Sequence, residues 1–124
     1  MGPLLPDAQA APEPDEAPAP FLPGAPPPSP LKLAERLVER LTARAARLER
    51  RGSRLKQRIQ SGDSPSQAER RAYIEAEKLW DLNVRLAQAD LEHRSLSQAA
   101  GALDELRHVR GPRLHEISVH LGGE

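Results

Sequence analysis

The sequence predicts an all-α protein: a proline-rich N-terminal tail followed by an antiparallel helical hairpin of coiled-coil type. Three observations carry this. Ala34, Val38, Leu41, Ala45, Leu48, Gly52, Leu55 and Ile59 step by four and three in alternation, the seam of a helix that lies against another helix. Leu79, Leu82, Leu86, Ala89, His93, Leu96, Ala100 and Leu103 repeat that alternation later in the chain. Between the two runs stand Ser61, Gly62 and Asp63, which are turn residues, and then Ser64, Pro65 and Gln67 in the order of an N-cap, a first and a third helical position.

Residues 1–30 hold 11 of the 13 prolines, four acids (Asp7, Glu13, Asp15, Glu16) and no Lys or Arg. Proline donates no backbone hydrogen bond. With only Leu4, Leu5, Phe21 and Leu22 as large apolar groups, this stretch has too little to bury to offset its ordering entropy. A disordered Pro/Ala-rich tail with local polyproline character is therefore expected.

A first helix is expected over 31–61, with Ser29 as cap and Pro30 pre-set for the first position. Gly52 is its weak point, costing roughly 1 kcal/mol against Ala unless it serves a close helix approach or a bend. A turn at 62–64 leads to a second helix over 65–110, since no strong breaker precedes Gly111 and Pro112. Its second apolar line through Tyr73, Trp80, Val84, Ala87 and Leu91 widens the buried face. At 1.5 Å per residue the first helix spans roughly 45 Å and the second roughly 69 Å. The end of the second, near Leu96, Ala99, Ala100, Leu103 and Leu106, should overhang and seek a cover. Residues 112–124 read as a short C-terminal tail in which Leu114, Ile117, Val119 and Leu121 suit an extended piece or one more helical turn, with Gly122, Gly123 and Glu124 frayed.

Composition narrows the function classes. The chain has 124 residues, no cysteine, and two aromatics beyond residue 30, Tyr73 and Trp80, so disulfides and thiolate metal sites are excluded and a thick core is not expected. The formal charge of zero is segregated: −4 over residues 1–30, +7 over 31–60 and −3 over 61–124. No apolar run approaches the ~20 residues of a membrane span, and the N-terminus lacks the regions of a cleaved signal peptide; a soluble protein is expected.

The string His115–His120 echoes a zinc-protease helix, but that site needs its histidines four apart, and at five they diverge by about 140°. No phosphate loop, nucleophile elbow or paired carboxylates stand where a cleft could desolvate them, so a non-enzyme without cofactor or metal is expected. His93, on the seam, reads as a packed or register-setting residue. Arg40, Arg44, Arg47, Arg51, Arg54 and Arg58 repeat by four and three along one flank of the first helix. They suit either phosphates or the carboxylates of Glu69, Glu75, Glu77 and Asp81.

The run Leu79, Leu82, Arg85, Leu86, Gln88, then Leu96, Ser97, Ala99 and Ala100, with the Asp63, Ser64, Pro65 turn before it, resembles the inner-rod subunits of type III secretion systems over about residues 33–103. That resemblance implies export by an uncleaved N-terminal signal, from the bacterial cytoplasm into the secretion apparatus of the cell envelope, and polymerisation through C-terminal helices. The expected function is a structural or assembly subunit acting through helix–helix contacts, as an oligomer. The contacts would run through Leu41, Leu48, Leu55, Leu79, Leu86, Leu96, Ala100, Leu103 and Leu106. An adaptor for a different helical protein ranks second, and a nucleic-acid binder using the arginine stripe third.

Overall fold

The computed structural model describes residues 26–123. All regular structure in them is helical, in three elements: α1 (Pro30–Gln60), α2 (Gln67–His93) and α3 (Ser97–His120). The tail expected over 1–30 falls largely on residues 1–25, outside the described residues.

The three helices form an up-down-up bundle. The Trp80 indole donates to the Leu41 carbonyl (2.9 Å) and Arg58 reaches Glu69 (2.9 Å), so α1 and α2 run antiparallel. The Tyr73 hydroxyl donates to the Leu114 carbonyl (3.0 Å) while Gln88 meets Asp104, so α3 runs antiparallel to α2 and parallel to α1.

The α1 seam lies in the core. Ala34, Leu41, Ala45, Leu48, Gly52 and Leu55 are buried, with Val38 and Ile59 packed at its margin. Ser29 caps the helix by accepting from the Lys32 amide (3.1 Å). Gly52 is a close-approach residue: an added Cβ would stand 2.7 Å from Ile117 Cγ2 and 2.8 Å from Tyr73 Cε2. The tyrosine ring and the isoleucine methyl occupy the room that a side chain would take.

The second helix departs from expectation at both ends. Its N-cap is Ser66, not Ser64. Ser66 accepts from the Glu69 amide (3.0 Å) and Glu69 accepts from the Ser66 amide (2.9 Å), a reciprocal box two residues downstream of the expected one. A carboxylate at the third position binds an amide more strongly than the Gln67 amide group would, and it also suits the positive end of the helix dipole.

At the other end the helix does not run to 110. It stops at His93, Arg94 caps it, and Ser95 takes φ 62°. The Leu96 amide then bonds the Leu91 carbonyl (2.9 Å) and the Ser95 amide bonds Glu92 (3.0 Å), the paired bonds of a Schellman turn with serine where glycine is usual. The chain reverses there. The overhang expected at Leu96, Ala100, Leu103 and Leu106 is thus corrected: Ala100, Leu103 and Leu106 are buried inside the bundle and Leu96 packs against it. Folding back covers this apolar surface at the cost of one left-handed residue, roughly 1–2 kcal/mol, against about 1.5–3 kcal/mol for each large apolar side chain buried.

Gly111 and Pro112, expected to end a helix, lie inside α3. Pro112 is exposed, its ring on the solvent side, and removes one backbone bond. Gly111 before it has no Cβ to clash with the proline ring in helical geometry. The stretch read as a C-terminal tail is consequently core: Leu114, Ile117 and Leu121 are almost fully buried. Gly122, at φ 110°, and Gly123 close the helix with a Schellman turn, Gly123 donating to Ser118 (2.8 Å), so they are not frayed. Glu124 lies outside the described residues.

Candidate interaction surface

The inward face of α2 is Tyr73, Glu77, Trp80, Val84 and Leu91, the line that the sequence offered as secondary. A helix that buries 73, 77, 80, 84 and 91 must turn 79, 82 and 86 away. Leu79, Leu82 and Leu86 are therefore exposed, at 54%, 50% and 60%. Ala89 and His93, which continue that line, are exposed as well, so His93 is no packed seam residue. Of the expected contact residues, Leu41, Leu48, Leu55, Ala100, Leu103 and Leu106 are spent on the bundle's own core, Leu96 is half-buried, and only Leu79 and Leu86 remain presented to solvent. Leu82 joins them.

Of these leucines, Leu79 borders the arginine stripe. Arg44, Arg47, Arg51 and Arg54 line an open groove of ≈ 500 Å³ with Ala76 and Leu79, and the groove continues toward the α1–α2 loop past Arg51, Arg54, Arg58, Ala68 and Ala72. Of the expected carboxylate partners for the stripe, one is engaged: Arg58 holds Asp63 (2.8 Å) and Glu69 (2.9 Å). The Arg58 hydrogen bond and the Ser66 amide draw the Glu69 carboxyl down to about 2. Asp81 pairs with Arg85 instead, and Glu77 points into the core. On the opposite flank of α1, Glu49 is held by Arg110 (2.7 Å) and Arg113 (3.6 Å), and Lys56 by Glu116 (3.8 Å). Arg40, Arg44, Arg47, Arg51 and Arg54 are exposed and form no ion pair among the described residues. The α1–α3 groove thus holds carboxylates paired to its cations, while five arginines facing the α1–α2 groove have none.

Sequence reasoning offered Glu77 as a surface partner for the arginines and missed its burial. It is 6% exposed, with His115 Nδ1 3.8 Å from its carboxylate. Burial pushes its pKa up and Asp81 adds to that, while His115, Lys78 and the Ser118 hydroxyl oppose. A polar residue at a core position between Tyr73 and Trp80 is the signal that could have found it. His115 and His120 are exposed, and among the described residues no three His, Asp or Glu side chains converge as a metal site. No described helix is long and apolar enough to cross a membrane.

No protein-family model, curated protein or solved structure matches the chain.

Proposed function

We propose that the chain is a non-enzymatic helical module that works through helix–helix contacts on its α1–α2 face. The observation that carries this is the trio Leu79, Leu82 and Leu86: half or more exposed, spaced three and four apart, on a helix whose other face already completes the core. Single exposed leucines are ordinary; three in one line at the spacing of a helix seam form a docking strip.

The reading covers an assembly subunit and an adaptor alike. A type III inner-rod subunit is its narrower form, and polymerisation through a long second helix would require α3 to swing out at Arg94–Leu96. A nucleic-acid surface would use the arginines but leave the leucines without a role.

A photo-crosslinking residue at Leu82, compared with one at His108 on the outer side of α3, tests the reading in the native extract. Protein adducts are expected from position 82 alone, and lost when Leu79 and Leu86 are changed to Ser. Equal adducts from both positions would refute it.

A further inference from the structure

Resting on that reading, we propose that the occupant of the α1–α2 face is an acidic amphipathic helix of another protein, with leucine-like residues in its seam and carboxylates on the flank that meets α1.

Two rows on different helices define the occupant. Leu79, Leu82 and Leu86 rise about 10 Å along α2, two turns, which matches apolar residues at the same spacing on one facing helix. Arg40, Arg44, Arg47, Arg51 and Arg54 run about 21 Å along the α1 wall. The rows meet at Leu79, which lines the groove with Arg44, Arg47, Arg51 and Arg54; a helix seated there carries its flank along that wall, where Glu at matching positions would meet guanidinium groups in charge-assisted, fork-shaped hydrogen bonds.

The charge pattern speaks for a partner rather than for internal use. The bundle pairs Arg58 with Glu69 and Glu49 with Arg110; other surface charges, Arg50 and Arg71 among them, stand singly without an ion pair, whereas on this wall five unpaired charges of one sign stand in a row. The five arginines of this wall are left over.

Other occupants fit less well. A second copy seated face to face would bring the same arginine row against itself, a like-charge contact that costs affinity. A flat anionic membrane would not fill a groove between two helices, since amphipathic membrane binders carry both rows on one helix. Duplex DNA would answer the arginines and leave the leucines wet.

The experiment titrates the isotope-labelled full chain with a synthetic helical peptide bearing leucines at alternating spacing of three and four and glutamates on both flanks. Its lysine-flanked twin, phosphatidylserine vesicles, duplex DNA and the chain alone across concentration are run beside it. Saturable amide shifts confined to 40–54 and 76–89 are expected for the acidic peptide. Leu82→Ser and Arg47→Glu should each weaken it tenfold or more without changing the melt. A triple change of Arg44, Arg47 and Arg51 to Glu should transfer binding to the lysine-flanked twin.

Binding of the twin by the unaltered chain, or of DNA or vesicles ahead of the acidic peptide, overturns the acidic partner. So does self-association lost in Leu82→Ser. Shifts on this face when Asp7, Glu13, Asp15 and Glu16 are made neutral would overturn it too, by naming the chain's own N-terminal segment as occupant. If no helical peptide of either charge binds, the helix-docking reading falls with the proposal; if only the twin binds on the leucines, that reading stands and the acidic chemistry alone fails.

Discussion

Gly52→Ala adds a single methyl where α1 meets Tyr73 and Ile117. In an exposed helix that exchange would stabilise by roughly 1 kcal/mol, because alanine is the better helix former. Here the new Cβ would stand 2.7 Å from Ile117 Cγ2, 2.8 Å from Tyr73 Cε2 and 3.0 Å from Tyr73 Cζ. None of these atoms ends a flexible chain: Ile117 is β-branched on α3 and fully buried, and Tyr73 is fixed by its hydroxyl bond to Leu114. Overpacking of this kind costs about 1–3 kcal/mol, so the steric term outweighs the propensity gain and a net loss of about 1 kcal/mol is expected. For a domain of this size that corresponds to a fall in Tm of about 4–8 °C. Gly101→Ala is the control, since that glycine is exposed in α3 with nothing within 4 Å of an added Cβ. It should gain roughly 1 kcal/mol. Thermal melts by circular dichroism, with urea melts to check that m is unchanged, read both. A Gly52→Ala variant as stable as the unaltered chain would refute the three-way contact among α1, Tyr73 and Ile117.

The Glu77 carboxyl is held above its ordinary 4.5 by burial, so the folded state binds its proton more tightly than the unfolded chain does. Its contribution to stability is full below about 4.5 and is lost as pH rises through the higher folded value; Glu77→Gln should flatten that slope and raise stability at neutral pH, read by urea melts at several pH values. Glu69 behaves oppositely. Its folded pKa of about 2 lies below 4.5, so its contribution is present above 4.5 and fades as pH falls toward 2, and Glu69→Gln should remove that acid-side dependence. Ser95→Gly should stabilise by about 1 kcal/mol by relieving the left-handed residue at the α2–α3 turn, whereas Ser95→Ala should not, as calorimetry would show. Leu103→Ser should cost several kcal/mol because Leu103 is fully buried, while Leu82→Ser should leave the melt within about 0.5 kcal/mol.

The all-helical class, the α1 seam from Ala34 to Ile59 and the Ser29 cap were legible because each rests on local pattern and cap chemistry. The reversal at Ser95 was not, because the turn carries no glycine, asparagine or proline. Its trace is in the spacing: the inward positions of α2, with half-buried Ala87 among them, step by three and four to Leu91, and the next, Leu96, follows after five, where one continuous helix would lose its face. Two apolar lines compete on α2, and leucine content favoured 79, 82 and 86. Burial went to the line with Tyr73 and Trp80, whose larger surfaces also place polar tips on the Leu114 and Leu41 carbonyls. Once α3 folded back and gave its own leucines to the core, the expected contact surface moved from the end of the second helix to its outer face. The arginine stripe lies along one flank of α1 and Glu69 meets it at Arg58; the i,i+4 pair of Asp81 with Arg85 was open to the sequence, whereas the burial of Glu77 depends on tertiary packing.

The reversal at Arg94–Leu96 decides which leucines the molecule presents, and one distance tests it. The chain has no cysteine, so Arg71→Cys and His120→Cys introduce the only two labelling sites, both at exposed positions. In the bundle these ends are neighbours: the Arg70 guanidinium reaches the Leu121 carbonyl at 3.5 Å. Spin labels on the pair should give a dominant distance below about 25 Å by double electron–electron resonance, the sum of one helix–helix spacing and two label tethers. A continuous helix would separate the same positions by about 74 Å. A dominant distance in that range would contradict the bundle and return Leu96, Leu103 and Leu106 to the surface.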